Sequence, residues 1–311
     1  MGMNMAKQLL GKEVAAALGE LSLERCKKLK EEGIQPKLVI IRCGENPSDL
    51  AYEKGAVKKA DAAGVETEKI LFPENVTKEE LTAKLQELNE DSKTHGVLLF
   101  RPLPGHLKRW ESEICNTLTP AKDVDSMTDL SNAGVYENRI LGFPPCTAEA
   151  VMVMLNYYGI DPAGKRVAVI GRSLVIGKPV AMMLMAQHAT VTVCHTRTRD
   201  VPSVTREADI IVSSAGVLRS LTKEYVRPGQ TVIDVSMNWD PDKNEGRGGM
   251  VGDAVYDEVS EIVDAITPVP GGVGAVTSTV LIDHVVSAAE LGAVTEEIGR
   301  IRQSRSAHYV R

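Results

Sequence analysis

The chain has 311 residues, 43% hydrophobic and 25% charged, the composition of an ordinary globular protein long enough for two domains. A net charge of −6 and a pI near 5.6 give no electrostatic footprint for nucleic acid. With no apolar run of about 18 residues and no signal-peptide pattern at the N-terminus, no membrane attachment is expected.

Five scattered cysteines (Cys26, Cys43, Cys115, Cys146, Cys194) lack C-x-x-C spacing, so reduced thiols in a cytoplasmic protein are expected. The six histidines are not paired at ligand spacing either, and no metal is expected.

In chain order, Gln8 to Glu32 has helical periodicity and Lys37 to Arg42 reads as a strand. A helix is expected from about Ser48 to Ala63 and a strand near Glu68 to Phe72. Thr77, with Glu79 and Glu80 behind it, opens a helix reaching Asn89. Gly96 to Phe100 reads as a buried strand. From Arg101 to Phe143 the frequency of Pro, Gly, Asn and Asp predicts mostly loop, and long loops in compact domains tend to be functional. Thr147 is placed to cap a helix running to about Tyr158. Strands are expected near 166–170, 190–194, 209–213 and 231–235 with helices between them, the pattern of a doubly wound nucleotide-binding sheet. A Gly- and Pro-rich segment, Thr267 to Thr277, precedes an apolar helix from Ser278 to Ala289. That helix is expected to pack back on the first domain, which makes the second an insertion.

The loop Gly171-Arg-Ser-Leu-Val-Ile-Gly-Lys-Pro179 follows the strand Arg166–Ile170 and precedes the helical run to Met185. Strand, glycine turn and helix N-terminus make an anion site, because free backbone N–H groups point at a phosphate. The spacing departs from G-x-G-x-x-G: Ser173 stands at the second glycine position and Gly177 comes one residue late. Gly171, Arg172, Ser173, Ile176, Gly177, Lys178 and Pro179 are the expected cofactor-binding residues.

An NAD site usually places an acid about 20 residues beyond the glycines. Here no acid appears until Asp200, and Arg197 stands where the next strand ends. Arg172 and Arg197 suit a 2′-phosphate, so NADP is expected rather than NAD. The plain alternative is a pair of solvated surface arginines.

Further motifs lie in order along the chain: Pro102-Leu-Pro104 with His106, Lys122-Asp-Val-Asp125, Pro144-x-Cys-Thr147, the 171–179 loop, and Pro270-Gly-Gly-Val-Gly274 with Thr277. Over nearly its whole length the chain resembles the methylenetetrahydrofolate dehydrogenase/cyclohydrolase family (FolD-type). The resemblance implies an α/β protein with a Rossmann-type NAD(P)-binding domain at 147–278, inserted in an α/β folate-binding catalytic domain at 1–146 plus 279–311. It implies NAD(P)-dependent oxidation of 5,10-methylene-tetrahydrofolate to the 5,10-methenyl form, which many members then hydrolyse to 10-formyl-tetrahydrofolate. It also implies a homodimer. Tyr52 and Asp125 become the catalytic candidates, with folate contacts also at Pro102, Leu103, Pro270, Gly271 and Gly272. Thr147, Gly274 and Thr277 join the cofactor set.

Two positions depart from the family. Its Tyr is followed four residues later by Lys, one turn on along the same helix face. After Tyr52 that position holds Ala56, and the family Gln before the P-L-P loop is replaced by Phe100. Hydride removal moves no proton and needs positioning and charge stabilisation. Hydrolysis must take a proton from water and return one to a ring nitrogen, work that suits a lysine of lowered pKa. Ala56 and Phe100 supply neither, so the chain reads mainly as a dehydrogenase. Lys54 and Lys58 lie roughly 160° and 120° around the helix from Tyr52, whereas Lys59 shares its face about 10 Å along the axis and is the one credible substitute.

Other residues carry plainer readings. Asp125 suits the amino-pyrimidine edge of a pterin, which offers two parallel N–H bonds, against a simple Asx turn. Asp123 reads as structural, Cys146 as packing, Thr277 as a site residue or a helix cap, and His106 and His195 as non-catalytic polar residues. Two other classes compete: a catalytically dead folate- or nucleotide-binding regulator, and a shikimate-type NADP dehydrogenase, which lacks an evident Lys–Asp pair here.

Overall fold

The computed structural model describes residues 5–308. The chain divides into two compact units, one formed by residues up to Ala17 with 132–140 and 144–280, the other by 18–131, 141–143 and the chain from Leu281. Among the described residues no helix is long and apolar enough to cross a membrane.

The second of these units is built on a parallel three-stranded sheet in the order Glu66–Phe72, Lys37–Cys43, Gly96–Leu99. Its central strand is a continuous apolar run with Leu38, Val39, Ile40 and Ile41 fully buried, as a strand covered on both faces requires. The helix Lys78–Glu90 opens with a capping box in which Thr77 and Glu80 satisfy each other's backbone N–H groups. Leu81, Leu85 and Leu88 form its buried stripe and join Val39, Ile41, Val97 and Leu99 in one core.

The segment from Arg101 to Phe143 is more ordered than its composition predicts. It contains helices at Glu111–Cys115 and Asp129–Glu137 and single 3₁₀ turns at Lys108–Trp110 and Pro120–Lys122. Most of these elements are too short to show periodicity. Several are held by side chains on backbone groups, as where Asn116 Nδ2 donates to the Ser112 carbonyl at 2.8 Å.

The other unit carries a six-stranded, all-parallel sheet in the order Lys7–Gln8, Ala265–Ile266, Thr231–Asp234, Ile210–Ser213, Arg166–Ile170, Thr190–Cys194. The four long strands lie where the sequence places them. The two outer strands of two residues each leave no pattern to read. Pairing of Lys7–Gln8 with Ala265–Ile266 shortens the first helix to Gly11–Glu31 and groups the residues up to Ala17 with this sheet, where the sequence expectation had placed them in the folate domain.

Two expected caps are corrected. Pro145 precedes the helix Cys146–Tyr157, leaving Thr147 in its first turn with no capping bond. The last helix starts at Gly274, before Ser278, so Thr277 lies inside it, with its Oγ1 3.4 Å from the Val273 carbonyl.

Candidate cofactor and folate sites

In the six-stranded unit the chain leaves Arg166–Ile170 to pair Thr190–Cys194 on one side, then crosses to Ile210–Ser213 on the other. That reversal of strand order is where an open α/β sheet binds its ligand, outside the carboxyl ends of the strands. Gly171 stands at this point with φ +119, and a Cβ on it would lie 2.5 Å from both Ser214 oxygens. Ser214 closes the other side, its N–H and Oγ donating to the Ile170 carbonyl at 2.8 and 2.9 Å.

A Cβ on Gly177 would strike the Gly171 carbonyl and approach the Arg172 nitrogen to 2.7 Å, so only glycine lets the helix Gly177–Ala186 start against the loop. Ser173 Oγ accepts the Ile176 and Gly177 N–H groups at 3.1 and 3.4 Å, which makes it a loop organiser at the position of the second glycine. Ile176 is half-buried and Pro179 buried, whereas Arg172 and Lys178 are exposed. Arg197 is also exposed, on a turn where its N–H donates to His195 Nδ1 at 3.1 Å. Among the described residues neither Arg172 nor Arg197 forms a salt bridge. A glycine cradle with unneutralised guanidiniums around it fits a dinucleotide phosphate.

The 270–274 signature lies in the same unit. Gly271 has φ +108 and accepts the Gly11 N–H at 2.8 Å. A Cβ on Gly272 would sit 2.6 Å from the Pro268 carbonyl, so this position is closed to any side chain. Pro270, Gly271 and Gly274 are exposed, Thr147 is half-buried and Thr277 is buried.

In the three-stranded unit Tyr52 stands on the helix Pro47–Ala63, which starts with Asn46 accepting the Ser48 N–H at 2.9 Å and Pro47 in the first turn. Its inner face is Glu53, Ala56, Ala60 and Ala63. Glu53, 6% exposed, bonds Arg42 at 3.2 Å and Lys69 at 2.9 Å, while Arg42 also donates to the Gly44 carbonyl. Burial alone would raise the Glu53 carboxyl, but the bonds and charges of Lys69 and Arg42 outweigh it and hold the group below its usual range. This anchor fixes the rotation of the helix and thereby where Tyr52 stands.

Ala56 is fully buried. The half-buried Tyr52 ring meets Phe100 edge-on, with centroids 5.9 Å apart at 87°. Pro102 is exposed after a cis bond to Arg101. Leu103 is instead part of the core at 4% exposure, its N–H bonded to Glu111 Oε2 at 2.7 Å, so its side chain supports the loop from within. Lys59 is half-buried. His106 Nε2 lies 2.9 Å from the Val76 carbonyl, a structural role.

Asp125 is half-buried on a segment held at three preceding residues. Lys122 Nζ donates to the carbonyls of Leu88, Asn89 and Asp91 at 2.7, 2.9 and 2.7 Å, closing the end of the helix Lys78–Glu90. Buried Asp123 accepts the Met127 and Thr128 N–H groups at 2.9 and 2.8 Å, the structural role expected of it. The Val124 carbonyl meets Nδ1 of His284 at 2.8 Å, and that buried ring stacks on Phe143 with centroids 4.9 Å apart. The support that His284 gives the Asp125 segment was not legible, because its partner lies 160 residues earlier in the chain.

A model of the tetrahydrofolate dehydrogenase/cyclohydrolase catalytic domain matches residues 9–125, and one of that family's NAD(P)-binding domain matches 145–293. The bifunctional protein FolD of Carboxydothermus hydrogenoformans is 47% identical over 287 residues, 92% of this chain and 98% of that protein. The crystal structure of the Campylobacter jejuni bifunctional FolD methylenetetrahydrofolate dehydrogenase/cyclohydrolase superposes with a TM-score of 0.86 at 36% identity, over 92% of this chain and 99% of that one. The Trypanosoma brucei dehydrogenase-cyclohydrolase, solved with NADP cofactor and an inhibitor, also gives 0.86, at 33% identity over 93% of this chain and 99% of that one. The chain therefore belongs to the tetrahydrofolate dehydrogenase/cyclohydrolase family, with an NAD(P)-binding domain and a catalytic domain of that family.

Proposed function

We propose that this chain is an NADP-dependent 5,10-methylene-tetrahydrofolate dehydrogenase that releases the methenyl product without catalysing its hydrolysis efficiently. The observation that carries the second half is the surrounding of Tyr52: a fully buried Ala56 one turn on, and the apolar ring of Phe100 in T-shaped contact with its own.

Bound NADP would supply the acceptor for the hydride that leaves the methylene carbon. The chain's own part in that step is placement and charge. Gly171 and Gly177 would admit the pyrophosphate to the helix start, Arg172 and Arg197 would hold the 2′-phosphate, and Gly271 and Gly272 would keep side chains away from a ring bound against them. Asp125 accepts the N–H edge of the pterin, and Tyr52 and Pro102 border the folate. The cation left behind is shared by two nitrogens and no proton moves, so Ala56 and Phe100 cost this step little.

Hydrolysis is different. Water adds to the methenyl carbon and loses a proton, the carbon–nitrogen bond breaks, and the released nitrogen gains a proton. A positioned acid–base group contributes about 10²–10⁴-fold to such a step, and positions 56 and 100 carry none. The second reading is a bifunctional enzyme with Lys59 as the substitute base. The name of the 47%-identical relative favours it, and so does the partial exposure of Lys59 on the Tyr52 face. A cytoplasmic homodimer belongs to the same proposal, supported by five free cysteines and by family membership. The deciding experiment supplies the dehydrogenase and hydrolysis substrates separately, reading NADPH formation and methenyl absorbance in each case. NADP reduction without accelerated methenyl decay supports the first reading.

A further inference from the structure

Asp253, fully buried in the six-stranded unit, collects five hydrogen bonds on one carboxylate. Its Oδ2 accepts from Ser213 Oγ at 2.9 Å, the Ala215 N–H at 2.8 Å and Ser236 Oγ at 2.8 Å. Its Oδ1 accepts from the Val217 N–H at 2.9 Å and Asn238 Nδ2 at 3.1 Å. Ser236 Oγ in turn accepts the Gly216 N–H at 3.0 Å. Three consecutive amides, 215 to 217, are thus turned onto one acid, directly or through one hydroxyl.

These donors come from the segments that follow Ile210–Ser213 and Thr231–Asp234, at the carboxyl edge of the sheet where a dinucleotide lies. A loop with its N–H groups consumed in this way has backbone carbonyls left to offer a ligand. It suits hydroxyl and amide donors and not a phosphate. The 171–177 loop differs in carrying a positive charge, the exposed Arg172, and a glycine turn, although Ser173 Oγ accepts the Ile176 and Gly177 N–H groups.

We propose that Asp253 is a positioning residue for the cofactor: it holds the loop 214–217 in the form that receives the ribose–nicotinamide half of the dinucleotide through carbonyl acceptors, leaving the pyrophosphate to 171–177. This rests on the reading of the unit as an NADP site at the carboxyl edge of its sheet. A carboxylate is required because all five facing groups donate. The two serine hydroxyls can turn away from an amide, but the N–H groups of Ala215 and Val217 cannot become acceptors.

The test titrates NADPH by its own fluorescence into wild type, Asp253→Asn and Ser236→Ala, and measures KM for both substrates in each. Asp253→Asn weakens NADPH binding by about tenfold or more, the scale of a charge-assisted bond lost in a buried site. KM for the folate stays at the wild-type value. Ser236→Ala shifts NADPH affinity in the same direction by less, since it frees the Gly216 amide and removes one donor from Asp253 but leaves the Ala215 and Val217 amides on the carboxylate. A parallel loss of affinity for both substrates makes Asp253 a general structural residue and overturns the proposal, as does unchanged NADPH affinity in folded Asp253→Asn. Should Asp253→Asn fail to fold, Ser236→Ala decides alone: normal NADPH affinity there overturns the proposal and selective weakening sustains it. A wild-type protein that binds neither NADPH nor NADH overturns the functional reading itself, and this inference with it.

Discussion

The Tyr52 ring, on a helix whose next turn presents a fully buried Ala56, meets the Phe100 ring edge-on with centroids 5.9 Å apart. An aromatic edge neither gives nor takes a proton at neutral pH, which is the basis of the proposal that hydrolysis is not catalysed efficiently here. Ala56→Lys alone puts an amine at a fully buried position and is expected to lower stability by several kcal/mol, about the cost of a buried unpaired charge. With Phe100→Gln added, the amine gains a polar partner, and methenyl hydrolysis is expected to rise above the wild-type rate. Hydrolysis unchanged in a folded double variant removes these two positions as the cause of specialisation.

Cofactor choice is expected to follow Arg172 and Arg197. Replacing either by Ala raises KM for NADP on the order of tenfold or more, one charge-assisted bond each, and leaves KM for NAD nearly unchanged. Initial rates with both cofactors check this. A native preference for NAD contradicts it.

Glu53 joins the Tyr52 helix to the sheet through Arg42, which is itself only 5% exposed. Glu53→Ala strands that guanidinium and is expected to cost about 3–5 kcal/mol, read as a lower urea midpoint, with Glu53→Gln losing less. The Glu53 value is depressed in the folded protein, so its contribution is complete above the ordinary glutamate range and fades as pH falls through the folded value. Equal midpoints for wild type and Glu53→Ala contradict the anchoring role.

Asp234 behaves in the opposite sense. Burial, reinforced by the charge of Asp253 and opposed by the Ala254 amide bond, pushes its carboxyl up from 3.8 to about 6. Between those values the native protein keeps a proton that the unfolded chain has released, so this group's contribution is full below about 4 and is lost as pH rises through 6. Asp234→Asn is expected to remove that loss, worth about 1–3 kcal/mol, so its stability falls less than wild type between pH 4 and 7. Identical pH slopes in thermal unfolding contradict it.

Two of the long parallel strands were legible as continuous apolar runs between turn signals, Leu38–Ile41 and Val167–Ile170, and the others as apolar or β-branched stretches such as Thr190–Cys194. The Thr77–Glu80 box was legible because its chemistry is local. What escaped has a physical reason in each case. The strands Lys7–Gln8 and Ala265–Ile266 are too short for periodicity, yet their pairing ties the start of the chain to the six-stranded sheet. Leu103 reads as a folate contact from its motif, yet its burial comes from a core that only the folded unit assembles. His284 and Asp253 act through partners far away in sequence, so no local pattern marks them. The replacements at Ala56 and Phe100 could be read from the motifs alone, whereas the edge-on contact of Phe100 with Tyr52 appears only in the folded unit.

The most direct test of the account is the decay of methenyl-tetrahydrofolate, supplied alone, with protein and in matched buffer, beside NADP reduction from methylene-tetrahydrofolate by the same preparation. The account predicts rapid NADP reduction and methenyl decay at the buffer rate. Decay accelerated by about 10²-fold or more, the contribution of a positioned acid–base group, contradicts it, and loss of that acceleration in Lys59→Ala would then identify Lys59 as the base.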